Sequence, residues 1–339
     1  MKAVILVGGF GTRLRPLTLS VPKQMLPVGG VTMLERVVEH LGSVGVEEAV
    51  LSLGYQPEAF LREFPDGECA GVRLRYAVEP EPLDTGGAIA FAAREAGIDD
   101  RFIALNGDVL TDLDVADLWR RHIEFGGRGT IALTAVDDPS RYGVVPLDDD
   151  GRVEAFIEKP DPGTAPTNWI NAGTYVLESD VIDLIPVGGR VSIEREVFPS
   201  LVGEGSLFGV PSSAYWIDAG TPEAYLQAHL DLLDGVRGTF EVAVDDSCRL
   251  DVGAEVKRSV IGAGAIVAAG AKVVDSVVME GARVSAGAVV SRSLIGARSV
   301  VGEACELTDL SIVGFDEDVP AGTVSAGGRF PPADAWPTT

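Results

Sequence analysis

Residues 8–18 read GGFGTRLRPLT directly after the apolar run AVILV, and VPKQMLP follows at 21–27. Glycines after a strand let backbone N–H groups face an anion, and Arg13 can fork onto phosphate oxygens. The spacing matches neither the dinucleotide fingerprint nor the P-loop. Lys23 sits between Pro22 and Pro27, which fix φ locally and stiffen its loop. Asp108 ends FIALNGD, and a carboxylate at the carboxyl end of a strand can hold Mg²⁺ against phosphates. Asp218 in YWIDAGT is a second carboxylate at an apolar-to-loop junction, while Glu158 and Lys159 in FIEKP and Asn171 in NAGTYVL end other strand-like runs. Singly, each of these also reads as a turn or surface residue. Together, two basic groups, two separated carboxylates and a third cation at Lys159 suit a polyphosphate, a metal and a second anionic substrate. That is the requirement of phosphoryl or nucleotidyl transfer, where charge neutralisation and in-line positioning do most of the catalysis. No protein nucleophile is needed, and no Ser lies in a GxSxG context.

These residues need a frame. AVILV (3–7), AVLSL (49–53), FIAL (102–105) and TIALTAV (130–136) read as buried strands. TMLERVVEHL is an amphipathic helix with Thr32 and Glu35 as a capping box, and 113–125 and 222–234 are two more helices. Thr221 and Pro222 occupy the N-cap and first position of the last one. This alternation predicts an α/β domain over 1–235, with a mostly parallel sheet covered on both faces. Such sheets bind ligands at the carboxyl ends of their strands, where GGFGTR lies.

From about residue 247 the texture changes. SVIGAGA, SVVMEGA, SLIGARS and SIVGFDE begin at Ser259, Ser276, Ser293 and Ser311, spacings of 17, 17 and 18. Within them aliphatics recur about every six positions, from Ile261, Val267 and Val273 to Ile295, Val301 and Leu307. Three hexads per turn predict a left-handed parallel β-helix over 247–325, with a linker at 236–246 and a loose tail at 326–339.

The 51 carboxylates and 27 Lys plus Arg give a net charge of −24, which disfavours nucleic acid and anionic membranes as partners. Residues 1–34 hold Lys2, Arg13, Arg15 and Lys23 but no Asp or Glu, where the chain average implies about five. Such a segment in an acidic protein reads as a local anion pocket. Cys69, Cys248 and Cys305 form no CxxC, which argues against disulfides and structural zinc and fits a reducing compartment. The five-residue apolar stretch at the N-terminus is too short for a signal peptide, and no run reaches membrane-spanning length. A cytoplasmic location is expected.

GGFGTRLRPLT with PKQMLPV resembles the signature of sugar-1-phosphate nucleotidylyltransferases, and EPLDTGGAIA, LNGDVL, FIEKP, NAGTYVL and YWIDAGT extend the likeness over residues 1–235. SIEREVFP (192–199), LNGDVL and the short hexapeptide helix resemble the mannose-1-phosphate guanylyltransferase subgroup. The resemblance implies a Rossmann-like nucleotidyltransferase domain that condenses an NTP, GTP in this subgroup, with a sugar 1-phosphate, mannose 1-phosphate. It implies Leu6, Gly8 and Gly9 beside base and ribose, with Gly11, Thr12 and Arg13 on the triphosphate. Lys23 would neutralise charge around the α-phosphate, and Glu79, Thr85 and Gly87 would lie at the base. Asp108 and Asp218 would hold Mg²⁺. Lys159 would bind the sugar phosphate, and Glu158, Asn171 and Gly173 the sugar hydroxyls. Asp84 departs from the family, which usually has a small glycine there.

Three other readings are open at this level: a glucose-1-phosphate enzyme using UTP, dTTP or ATP; a hexapeptide acyltransferase; and a non-catalytic regulatory subunit. The second is disfavoured because His40, His122 and His229 all lie outside the repeats, and the third because the arginine, lysine and aspartates are retained. The flat aliphatic faces of the β-helix suit subunit pairing, so a homo-oligomer is expected.

Overall fold

The computed structural model describes residues 1–54, 57–237 and 243–337. Part of the expected linker and the last two residues of the expected tail lie outside the described residues. The chain divides into two compact units, Met1–Gly9 with Leu34–Trp216 and Phe10–Met33 with Ile217–Thr339. Among the described residues no helix is long and apolar enough to cross a membrane.

The first unit is built on a ten-stranded mixed sheet. Its strands are β1 (Lys2–Leu6), β2 (Glu48–Leu53), β3 (Glu68–Cys69), β4 (Val72–Val78), β5 (Phe102–Asn106), β6 (Gly129–Ala135), β7 (Gly143–Val144), β8 (Ile157–Glu158), β9 (Trp169–Leu177) and β10 (Leu207–Ser212). The order is β8-β7-β9-β5-β1-β2-β4-β3, with β6 on β9 and β10 on β6. The four central strands β5, β1, β2 and β4 run parallel, and β9 is antiparallel to β5. The all-aliphatic AVIL of β1 follows from this placement: Ala3, Val4 and Ile5 are fully buried between two parallel neighbours. Helices α1 (Met33–Ser43), α2 (Asp84–Glu95) and α3 (Val115–Phe125) cover the sheet. Asp114 caps α3 by accepting from Asp117 N–H at 2.9 Å, and Gly126, in the left-handed region, closes it.

In the second unit, helix α4 (Pro222–Leu233) is capped by Thr221, whose Oγ1 accepts from Ala224 N–H at 3.2 Å, with Pro222 at the start. Beyond it stand three five-stranded parallel sheets, the faces of a left-handed β-helix. The aliphatics spaced by hexads point inward: Ile261, Val267, Val273, Val278, Val284, Val290, Ile295, Val301 and Leu307 are at most 1 % exposed. The corners turn through residues in the left-handed backbone region, stacked in columns. One column is Arg258, Asp275, Arg292 and Asp309 (φ 45°, 46°, 46° and 50°), and another is Gly253, Gly270, Gly287, Ala304 and Gly322 (φ 76°, 67°, 68°, 52° and 71°). The serine that opens each repeat has a physical reason as well. Ser276 and Ser293 N–H donate to the Oγ of Ser259 and Ser276 at 3.1 and 3.0 Å, and each of these hydroxyls donates to the carbonyl two residues before it. A buried small hydroxyl therefore joins successive coils without an unsatisfied polar atom.

Candidate active site

The residues expected at the site fall into a set on each unit. On the first, Leu6 ends β1 and Gly8 follows it. A Cβ on Gly8 would stand 3.5 Å from both Gly54 N and Glu79 Oε1, so glycine here leaves a slot floored by backbone and walled by a carboxylate. Glu79 directly follows β4 and is held on both oxygens: Ser52 Oγ donates to Oε1 at 3.0 Å, and Leu83 N–H, at the start of α2, donates to Oε2 at 3.2 Å. Each oxygen keeps a further lone pair for a ligand.

Gly87 is dictated by close approach. A Cβ there would overlap the Gly189 carbonyl oxygen, and Gly86 and Gly87 N–H both donate to Val191 O at 2.9 and 3.0 Å. Thr85 is engaged within the protein. Its hydroxyl donates to Glu194 Oε2 at 2.6 Å and accepts from Ile193 N–H at 3.0 Å, while its own N–H donates to Asp84 Oδ1 at 2.8 Å. Thr85 thus ties α2 to the π-helical turn Ile193–Val197, capped by Ser192. Asp84 adopts φ 61°, a conformation that favours glycine, which accounts for the glycine usual at that position.

Across the sheet, β9 carries a register irregularity between Asn171 and Tyr175. Asn171 Oδ1 accepts from Gly173 N–H at 2.9 Å, and its Nδ2 donates to Tyr175 Oη at 2.8 Å. Gly173, at φ 75°, sets its backbone so close to Asn106 that a Cβ would lie 2.7 Å from Asn106 Nδ2. Trp216 Nε1 donates to Ala172 O at 2.8 Å and closes the bulge. Burial first, then the charges of Glu194 and Glu158, push the Tyr175 phenol above its ordinary range, so it stays a neutral hydroxyl. Those carboxylates therefore share one neighbourhood with Asn171. Lys159 holds φ 50° with its N–H bonded to Tyr142 O at 3.0 Å, and its Nζ lies 3.1 Å from Glu158 Oε1. A non-glycine residue held in this region is strained, and such strain clusters at functional positions. Asp108 stands in the turn after β5, at the carboxyl end of a central strand.

The second unit holds the residues expected to face the phosphates. Gly11, at φ 57°, begins a short 3-10 turn over Thr12–Leu14 that presents Thr12 and Arg13. Thr18 Oγ1 donates to Gly11 O at 2.7 Å, and a Cβ on Gly11 would lie 3.3 Å from Lys23 Cβ, so the two halves of the loop lie against each other. Arg13 Nη2 and Asp218 Oδ1 each lie 2.8 Å from the point a Cβ on Gly220 would take, which places guanidinium and carboxylate side by side. Asp218 Oδ1 also accepts from Gly220 N–H at 2.9 Å. Helix α4 anchors the far end of the loop: Tyr225 Oη donates to Pro27 O, and Gly29 N–H donates to His229 Nδ1 at 3.3 Å.

Glu194, Ser52, Gly54 and Gly220 escaped sequence reasoning. Glu194 lies inside SIEREVFP, which drew notice as a motif without yielding a residue, and Gly220 lies inside YWIDAGT. Ser52 and Gly54 had no motif to mark them. The cysteines take no part: all three are free, and burial together with Glu35, Glu39 and Glu63 pushes the Cys69 thiol up to about 12.

Comparison with known proteins gives the family. Residues 2–235 match the Nucleotidyl transferase family and residues 239–329 the GMPPB C-terminal domain. The mannose-1-phosphate guanylyltransferase of Mycobacterium tuberculosis is 41% identical over 83% of this chain and 80% of its own. The probable mannose-1-phosphate guanylyltransferase 1 of Oryza sativa is 40% identical over 97% of this chain and 95% of its own. Among solved structures, HddC from Yersinia pseudotuberculosis is 33% identical with a TM-score of 0.59, covering 67% of this chain and 97% of that one. It has also been solved complexed with GMP-PN. The chain therefore belongs to the nucleotidyl transferase family and, within it, to the mannose-1-phosphate guanylyltransferases.

Proposed function

We propose that the protein condenses GTP with mannose 1-phosphate to give GDP-mannose and pyrophosphate. The observation that carries the choice of base is the Glu79 carboxylate beside Gly8, oriented by Ser52 and Leu83. Guanine alone among the common bases presents an adjacent ring N–H and amino group, two donors that one carboxylate accepts side by side. The names of the long matches and the GMP-PN complex of HddC support the same base.

In this reading the backbone of Gly11 and Thr12 and the Arg13 guanidinium receive the triphosphate, and Lys23 neutralises charge near the α-phosphate. Lys159 holds the sugar phosphate, with Glu158, Asn171, Gly173 and Glu194 around the sugar hydroxyls. The sugar-phosphate oxygen attacks the α-phosphorus in line, and pyrophosphate departs. Asp108 and Asp218 would hold Mg²⁺. Two carboxylates suit an ion that takes one or two of them and completes its shell with phosphates and water. When bound, the ion neutralises phosphate charge.

A panel of NTPs and sugar 1-phosphates assayed for pyrophosphate tests this reading. GTP with mannose 1-phosphate should lead, and Glu79→Gln should lower kcat/KM for GTP by about 30- to 100-fold while narrowing the gap to ATP. Equal rates with all four NTPs in the unaltered protein would overturn the choice of base. We further propose a cytoplasmic homo-oligomer paired through the β-helix, which exposes Val252 (91 %) and Val324 (74 %). Light scattering on the intact chain tests it, a monomer being the adverse result.

A further inference from the structure

The segment after the β-helix is folded back onto the glycine-rich loop. Pro331 and Pro332 lead into a 3-10 turn over Ala333–Ala335, and Trp336 returns so that its Nε1 donates to Pro331 O at 2.9 Å. The indole face stands 6.0 Å from Arg15 Cζ, within cation–π range. Arg15 is half-buried, and its Nε is enclosed with no hydrogen-bond partner. A guanidinium partly stripped of water gains more from an aromatic face than an exposed one does. Next to it, Pro16 meets the strap's root. A Cβ on Gly314, in the last coils of the β-helix, would lie 3.3 Å from Pro16 Cβ and 3.5 Å from Pro331 Cδ. Gly314 N–H donates to Phe330 O at 2.7 Å, fixing that root to the coil.

Arg15 is also the residue that ends the turn carrying Thr12 and Arg13, its N–H donating to Thr12 O at 3.3 Å. We propose that Pro331–Trp336 is a positioning strap for the triphosphate loop. Trp336 holds the Arg15 guanidinium in place, and Arg15 in turn fixes the angle at which Thr12 and Arg13 are presented. Trp336 touches no substrate and acts through Arg15. The proposal rests on the reading of residues 11–13 as the NTP phosphate site, and it assigns a nucleotide-binding task to a segment outside the catalytic motifs.

The test is a double-mutant cycle in the full-length protein, with the nucleotide that the unaltered enzyme turns over fastest. Trp336→Leu keeps apolar volume but removes the ring face, and Arg15→Ala removes the cation. Each should raise KM and the Kd for that nucleotide about three- to tenfold while kcat changes less than twofold, and the double variant should be no worse than either single one. Trp336→Phe should retain wild-type KM within twofold because a ring face remains. A chain ending at Phe330 should match Trp336→Leu. Additive effects in the double variant, or wild-type KM in Trp336→Leu, would overturn the proposal. So would equal loss in Trp336→Phe and Trp336→Leu, since packing alone would then explain both. Since the nucleotide is chosen by turnover, an error in assigning GTP changes the probe and leaves the cycle intact.

Discussion

The β-helix and the α/β unit use the same unusual backbone conformation in opposite ways. In the β-helix, left-handed residues recur every 17 or 18 positions at the corners, so that Arg258, Asp275, Arg292 and Asp309 stack in a column. The coil needs the turn first, and side chains as different as Arg and Asp serve it, with Arg258 pairing to Asp275 along the column at 2.9 Å. In the α/β unit left-handed non-glycine residues are isolated: Ala70 makes the tight turn between β3 and β4, whereas Asp84 and Lys159 lie at the candidate site. Each of these two departs from the surrounding regularity to aim a particular side chain or backbone group. A repeated left-handed residue marks a need of the coil, whereas a solitary one takes its meaning from what surrounds it, a tight hairpin turn at Ala70 and the candidate site at Asp84 and Lys159.

The widest contrast between the regions is in activity. Asp108→Asn removes a carboxylate placed at the end of a central strand, and pyrophosphate release should fall about 10²- to 10³-fold, with the thermal midpoint little changed. A corner change such as Asp309→Asn should leave the rate within twofold in the same assay. Lys159→Gly sharpens the comparison because it moves stability and activity apart. Relief of the left-handed backbone, less the freedom glycine gains in the unfolded chain, should stabilise the fold by roughly 0.5 kcal/mol, while loss of the ammonium should lower kcat/KM for the sugar phosphate about 100-fold. Denaturation together with steady-state kinetics reads both. A variant that lost both stability and activity would mean that Lys159 is structural.

The two regions also differ in what the sequence discloses. The coils were legible to the residue, since Ile261 to Leu307 point inward as their hexads require and every repeat serine lies where a hydroxyl is needed. Periodicity is local, and each coil repeats the same physical requirement. At the site, motifs located the loops that hold Arg13, Lys23, Asp108, Lys159 and Asp218. They did not disclose what holds those loops, because the supports come from distant sequence. Ser52 meets Glu79 across two strands, Glu194 meets Thr85 across 109 positions, and Trp336 meets Arg15 from the far end of the chain. A residue that serves by meeting a partner remote in sequence leaves no spacing to read.

Two stability measurements probe the α/β unit at smaller amplitude. Gly87→Ala forces a methyl onto the Gly189 carbonyl and should destabilise by about 2 kcal/mol, with KM for the nucleotide rising as α2 shifts. His122 gives a pH dependence. Desolvation, more than offsetting the hydrogen bond to Glu178, holds this buried imidazole below its ordinary value of 6.5. Near neutrality it is uncharged in both folded and unfolded chains. As pH falls through 6.5 the unfolded chain takes up a proton that the folded one refuses, so stability drops by up to about 1.4 kcal/mol per pH unit until the lower folded value is reached. Urea unfolding at pH 7.5 and 5.5 should show this slope, and His122→Gln should reduce it. An unchanged slope would assign the acid sensitivity elsewhere.

The smallest expected effect decides whether corner residues are only geometry. Ala304 holds φ 52° in a column otherwise made of Gly253, Gly270, Gly287 and Gly322. A methyl in the left-handed region costs roughly 1 kcal/mol, partly offset by the greater freedom glycine has in the unfolded chain. Ala304→Gly should therefore raise stability by about 0.5 kcal/mol, seen as a higher urea midpoint at constant slope, with kcat and KM unchanged. The same exchange at Asp84, where φ is 61°, relaxes an equally strained backbone but removes the carboxylate that accepts Thr85 N–H. If the corner and the site were equivalent uses of one conformation, the two exchanges would behave alike. A shift in nucleotide KM at Asp84→Gly without one at Ala304→Gly would separate them, because only the first touches the α2 turn where Glu79 is held.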